Sequence, residues 1–175
     1  RQYLPGDTPG SLQCADIYDI KADNAGRIWL ATFGGGIART DIASDGSISF
    51  AHKAPSSPGK GMRVRRLQML PDGLMMAAAT DGVAVFNPDD ELSRPVFFNR
   101  TESSRGSSLS NDDVLDMTLA GDNTIYLSTF SGGIDFVHAG TDLLSDSIVF
   151  GHRNIRDGLC VDPVLSLIED TAGSL

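Results

Sequence analysis

The sequence predicts an all-β protein built from repeated four-stranded antiparallel units. Three observations carry that expectation: the chain matches itself at a fixed offset, short β-type runs alternate with hairpin turn chemistry, and 19 of its 175 residues are glycine. So many glycines suit a chain with many tight turns, because glycine takes positive φ without steric cost and helices have no use for it.

The self-match is direct. Asp16 to Arg39 (DIYDIKADNAGRIWLATFGGGIAR) aligns without a gap on Asp113 to Phe136 (DVLDMTLAGDNTIYLSTFSGGIDF), an offset of 113 − 16 = 97 residues. Trp29 falls on Tyr126, and Thr32, Phe33, Gly35, Gly36 and Ile37 fall on Thr129, Phe130, Gly132, Gly133 and Ile134. Upstream, Ser11-Leu12 falls on Ser108-Leu109; downstream, Ser47 to Lys53 (SISFAHK) matches Ser147 to Arg153 (SIVFGHR) at an offset of 100. A weaker copy lies between, from Val64 through Asp72-Gly73, Thr80 and Gly82-Val83 to Phe98, and another begins at Val164. The starts Ile17, Val64, Val114 and Val164 are 47, 50 and 50 residues apart, the period of a four-stranded propeller blade.

Each copy divides into four short runs. The Asp23-Asn24-Ala25-Gly26 and Pro71-Asp72-Gly73 segments supply turns between the first and second strands, and Phe33-Gly34-Gly35 a turn between the second and third. Met75-Met76-Ala77-Ala78-Ala79 has helical propensity, but its place in the repeat predicts a buried strand. Lys53–Met62 and Asn99–Asp112 are rich in Ser, Pro and Gly; because the repeat phase continues across them, they are expected to join blades rather than domains. The chain is thus expected to be one partial propeller domain over residues 1–175. It opens at Arg1 and stops inside a repeat, so a longer parent protein is expected.

The pattern V-x-x-I-x-x-D-x-x-G-x-I-W-L-x-T-x-x-G-G-I, with its preceding Ser-Leu pair, resembles the two-component regulator propeller repeat. Copy two departs most, lacking the Trp and the double glycine. The resemblance implies a fragment of a seven-bladed ring, in the periplasmic sensor region of a hybrid histidine kinase from a glycan-using bacterium. A membrane anchor, kinase and DNA-binding modules would then lie elsewhere in the parent. It also implies no enzymatic activity in this segment and a glycan-derived oligosaccharide as ligand.

Composition narrows the alternatives. Bases less acids give 14 − 23 = −9, which argues against a nucleic-acid surface, where Lys and Arg must cluster. No run approaches the 18 or so apolar residues that a membrane helix needs. Cys14 and Cys160 follow no metal spacing; they read as separate thiols, with a disulfide left open in an oxidising compartment.

Several motifs read more simply as structure than as chemistry. Phe33-Gly34-Gly35-Gly36 is followed by a strand, whereas a phosphate cradle needs a following helix N-terminus. Asp23 to Trp29 resembles the Asp-box of sialidase propellers, itself a structural hairpin. His52 and His152 fall on outermost strands of different blades, so no shared metal is expected, and His138 reads as a solvated edge residue. Neither a metal nor an organic cofactor is expected.

Two residue sets are candidates for ligand contact. The third position of each first strand, expected along the central channel, is Asp19, Arg66, Asp116 and Ser166. Lining of a wet channel is the simpler account; alternating acid and Arg would also suit a hydroxyl-rich sugar. Phe33, Asp81 and Phe130 occupy the turns after the second strands, where sugar rings could stack on aromatics. Three functions fit: a ligand-sensing receptor segment, a propeller enzyme such as a lyase or sialidase-like hydrolase, or an interaction scaffold. Self-association is expected through the end faces near Ile17 and Val164, where a partial ring leaves blades uncovered.

Overall fold

A computed structural model describes residues 2–53, 63–90, 95–100, 108–145 and 148–175. Most of the first expected joint, half of the second, and Ser147 in the last fourth-strand run lie outside the described residues. The described chain forms three four-stranded antiparallel sheets, each a meander of consecutive strands. Blade 1 contains β1 (Ile17–Ala22), β2 (Ile28–Thr32), β3 (Gly36–Ile42) and β4 (Ile48–Lys53). Blade 2 contains β5 (Val64–Met69), β6 (Met75–Ala79), β7 (Gly82–Phe86) and β8 (Val96–Phe98). Blade 3 contains β9 (Val114–Leu119), β10 (Thr124–Thr129), β11 (Ile134–His138) and β12 (Gly151–Arg153). Among the described residues the single helical element is a 3-10 turn at Ile155–Asp157. β1 runs beside β5 and β5 beside β9, so the first strands line up as the inner edge of a propeller.

Blade-to-blade packing explains the apolar runs. β6 is buried at every residue. Its side chains alternate between two cores, as strand geometry requires. Met75, Ala77 and Ala79 join Trp29, Ala31 and Ile37 of blade 1, while Met76 and Ala78 join Ile125 and Leu127 of blade 3. A strand sandwiched between two blades has no face left for polar residues, so the MMAAA run is strand despite its helical propensity.

The Thr-x-x-Gly-Gly pattern also acquires a cause. Thr32 Oγ1 donates to the Gly36 carbonyl at 2.8 Å and accepts from the Gly35 amide at 3.0 Å. Thr129 repeats both bonds at 3.0 Å with Gly133 and Gly132. In blade 2 the turn shortens to Thr80-Asp81 with Gly82 at φ 134°, and the hairpin forms without the double glycine. The leucines of the Ser-Leu pairs, Leu12 and Leu109, are buried plugs in the cores of blades 1 and 3.

One expectation needs correction. The fourth strand of blade 3 is only three residues long: Ile148 and Phe150 are buried but lie outside the ladder. The segment from Val164, expected as the start of a truncated blade, lies against blade 3, its Val164 amide donating to the Thr129 carbonyl at 3.2 Å and its Leu167 amide to Asp116 at 3.1 Å. Among the described residues no second strand of that blade pairs with it. Trp29 and Tyr126 do hold equivalent register positions, opposite Lys21 and Arg39 and opposite Thr118 and Phe136. Trp29 is 2% exposed and packs on Phe86 of blade 2 at 5.4 Å. Tyr126 remains half-buried, its ring 6.0 Å from Phe136 of its own blade, because the next blade supplies only its first segment.

Candidate functional site at the mouth of the inner strands

All three inner strands carry a β-bulge at the same place. Ile17 pairs with Thr32 but Asp19 with Ala31; Val64 pairs with Ala79 but Arg66 with Ala78; Val114 pairs with Thr129 but Asp116 with Ser128. The extra residues are therefore Tyr18, Arg65 and Leu115. A bulge re-aims the side chain that it expels from the ladder. These three, with Leu165 of the next segment and Arg66, line a cavity of about 280 Å³. Each inner strand thus contributes to one hollow.

Beside it Tyr18 stacks on Phe33, centroids 4.7 Å apart and rings 17° from parallel. The Arg63 and Arg65 guanidiniums lie 5.4 and 5.6 Å from the Phe33 ring centroid. Arg65 also pairs with Asp113 and donates to the Val114 carbonyl at 3.1 Å. Phe33 is in this way the base of an aromatic and cationic platform rather than an exposed ring.

The third positions behave differently. Asp19 Oδ2 accepts from the Leu67 amide of blade 2 at 2.9 Å, and Oδ1 from the Ile20 amide at 2.9 Å. Asp116 accepts from Arg66 Nε at 2.7 Å, from the Met117 amide at 2.9 Å, from Ser166 Oγ at 2.5 Å and from the Leu167 amide at 3.1 Å. These residues staple each inner strand to the next. Burial acts to raise the Asp116 pKa, but the bonds from Ser166, Leu167, Met117 and Arg66 together outweigh it and hold the carboxyl below its ordinary value.

Of the seven residues expected to contact a ligand, only Arg66 lines the cavity. Asp19, Asp116 and Ser166 lie at blade joints, and Phe33 lies under Tyr18. Phe130 is 55% exposed in the equivalent turn of blade 3, and Asp81 is half-buried in the shortened turn of blade 2. Tyr18 and Arg65 escaped the sequence reading because nothing in a strand's residue types marks where its ladder will bulge.

The acidic and histidine motifs resolve into supports. Asp23 Oδ1 accepts from the Ala25 and Arg27 amides, both at 2.9 Å; Oδ2 accepts from Trp29 Nε1 at 2.8 Å and Arg27 Nε at 2.6 Å. Burial works against ionisation here too, yet the bonds from Trp29 and Arg27 leave the Asp23 pKa lowered. The Asp-box thus closes a hairpin and satisfies a buried indole N–H. His52 Nε2 lies 2.8 Å from the Ser11 carbonyl. His138 is the exposed last residue of β11. His152 Nδ1 lies 2.7 Å from Asp135 Oδ1, and the Ser110 amide donates to Asp135 Oδ2 at 2.8 Å. Asp135 is fully buried, and burial raises its pKa despite these bonds. Among the described residues no cluster of three or more His, Cys, Asp or Glu could hold a metal, and Cys14 and Cys160 are free thiols.

Residues 11–34 match the family model described as two component regulator propeller. Residues 11–34 are thus similar to one two-component regulator propeller repeat. That repeat covers the Ser-Leu pair, the inner strand with Tyr18 and Asp19, the Asp-box hairpin and the turn holding Phe33. No curated protein matches the sequence. Among solved structures, the extracellular domain of a putative hybrid two component system from B. thetaiotaomicron superposes with TM-score 0.64 at 15% identity. That match covers 90% of this chain and 19% of the other. PorZ, a surface component of the type-IX secretion system of Porphyromonas gingivalis, gives TM-score 0.64 at 15% identity over 98% of this chain and 26% of its own. A virginiamycin B lyase from Staphylococcus aureus gives 0.52 at 15% over 79% and 41%. The chain therefore spans about a fifth to a quarter of the first two structures and shares the propeller fold with all three.

Proposed function

We propose that this chain is a ligand-binding segment of an extracytoplasmic sensor propeller, without catalytic activity of its own, that detects a glycan-derived ligand. The observation that carries the reading is the triple bulge, which brings Tyr18, Arg65 and Leu115 from separate repeats to one hollow beside a stacked aromatic pair. Aromatic faces and guanidinium donors are what a sugar ring with its oxygens requires. The repeat at residues 11–34 and the likeness to an extracellular two component domain support a role in signalling. In the parent, the remaining blades of a seven-bladed ring would enclose the hollow. A membrane-anchored histidine kinase would then read its occupancy from a periplasmic propeller. Among the described residues no helix is long and apolar enough to cross a membrane.

Titration of the labelled chain with a panel of plant and host oligosaccharides, read by NMR, tests this. Shift changes centred on Tyr18, Phe33 and Arg65 are expected. Failure of every saccharide to perturb the folded chain would sink the reading, and turnover of a saccharide would favour a propeller enzyme instead.

A further inference from the structure

We infer that the ligand of this hollow is acidic: a saccharide whose ring lies against Tyr18 and whose carboxylate or sulfate group meets Arg66. This rests on the saccharide reading above and narrows it to one chemical class.

The argument is one of donors and acceptors. The side chains lining the cavity are Tyr18, Arg65, Arg66, Leu115 and Leu165. A guanidinium offers five N–H donors and no acceptor, and leucine offers neither. Apart from the Tyr18 hydroxyl, the lining side chains therefore only donate. Two carboxylates touch these guanidiniums: Asp116 already accepts four bonds, from Arg66, Met117, Ser166 and Leu167, and Asp113 is paired with Arg65. A neutral sugar presents hydroxyls that must donate as well as accept, and its donated protons would go unmatched on such a wall. A carboxylate or sulfate only accepts, so it fits.

Arg66 is placed for this role. It meets Asp116 through Nε, and its side chain is 43% exposed. Among the described residues its two terminal nitrogens carry no hydrogen bond. They form the edge of the planar fork that engages an oxyanion with two parallel bonds. Tyr18 is 52% exposed; one face is stacked on Phe33, and the other is left for a ring. Arg65, tied to Asp113 and the Val114 carbonyl, is held over Phe33 and adds fixed positive charge beside the same hollow. The volume, near the lower end of roughly 300 Å³ for small-molecule sites, suits a single sugar unit of a longer chain.

Calorimetric titration of the 175-residue chain with trigalacturonate, a 6-sulfated galacto-oligosaccharide and neutral galactotriose tests the inference. One or both acidic sugars should bind at least about tenfold more tightly than the neutral one, with affinity falling as salt rises. Which acidic sugar binds identifies the oxyanion. Arg66→Gln should weaken acidic binding roughly tenfold to a hundredfold, the scale of a charged hydrogen bond. Because Arg66 also braces a blade joint, Tyr18→Ala serves as a second variant; at a 52% exposed site it should keep the chain folded with only a small shift of the melt, and cost about tenfold in affinity. Acidic binding indifferent to both substitutions would overturn the inference. Equal or tighter binding of galactotriose, lost in Tyr18→Ala, would overturn the acidic class and leave the saccharide reading standing. No binding of any saccharide to the folded chain would overturn both.

Discussion

Trp29 and Tyr126 show that equivalent residues acquire different energetic weight from what lies against them. Trp29 is closed in by Phe86 of the next blade, and its N–H is satisfied by Asp23. Trp29→Ala should therefore cost about 3–5 kcal/mol through the cavity it leaves. Tyr126→Ala, at a half-buried ring, should cost about 1–2 kcal/mol. Chemical denaturation of the two variants side by side checks the ranking; equal losses would contradict it. Asp116 adds a pH dependence. Its folded pKa is depressed, so its contribution is present above the unfolded value of about 3.9 and is lost as pH falls through the folded value. Asp116→Asn should destabilise by about 1.5–3 kcal/mol near neutrality, with a smaller gap from wild type at pH 3. Urea melts at pH 6 and pH 3 decide it, and an unchanged gap would remove the carboxylate from the explanation.

At the scale of the element, the hairpin between second and third strands is the most constrained part of a blade. A Cβ on Gly82 would sit 2.1 Å from the Phe98 carbonyl oxygen, and one on Gly133 at 2.1 Å from that of Arg153. In each case the fourth strand's backbone passes against the glycine, in addition to its positive φ. Gly26, in the Asp-box turn, has φ 79° but no atom within 4 Å of its would-be Cβ. Gly82→Ala should thus cost about 3 kcal/mol and Gly26→Ala about 1 kcal/mol. Thermal melts that rank them the other way would show that conformational strain, not backbone approach, governs these turns.

For the whole molecule, the issue is the two blade faces that no blade covers among the described residues. On blade 1, Ile20 and Ile42 share the face of Leu30 and Ala38 and are 60% and 68% exposed. At the other end, Leu165 and Ile168 are 73% and 81% exposed, and Tyr126 is half-covered. Such faces are stable in a propeller because the next blade buries them. The isolated chain is therefore expected to self-associate, with a sedimentation coefficient that rises with concentration and falls back when Ile20 and Ile42 are changed to serine. A compact monomer at high concentration would refute this.

Repetition made most of the fold legible in the sequence. The self-match at an offset of 97 residues set blade phase, strand order and the equivalence of Trp29 with Tyr126, because a repeated hairpin pattern folds the same way each time. It even overruled the helical propensity of Met75 to Ala79, since a strand between two blades is apolar on both faces. The candidate site was only half legible. Asp19, Asp116 and Ser166 stood out as polar residues on inner strands, yet hydrogen bonds to the next inner strand occupy Asp19 and Asp116. The bulge that turns Tyr18, Arg65 and Leu115 toward a common hollow has no residue signature, because it arises where the strand's ladder slips against its neighbour. Likewise the part-buried Asp135–His152 contact joins residues 17 apart that only the β11–β12 register sets opposite each other. Local periodicity determined which elements form; which side chains meet was decided by register and by blade-to-blade contact, for both depend on residues far apart in the chain.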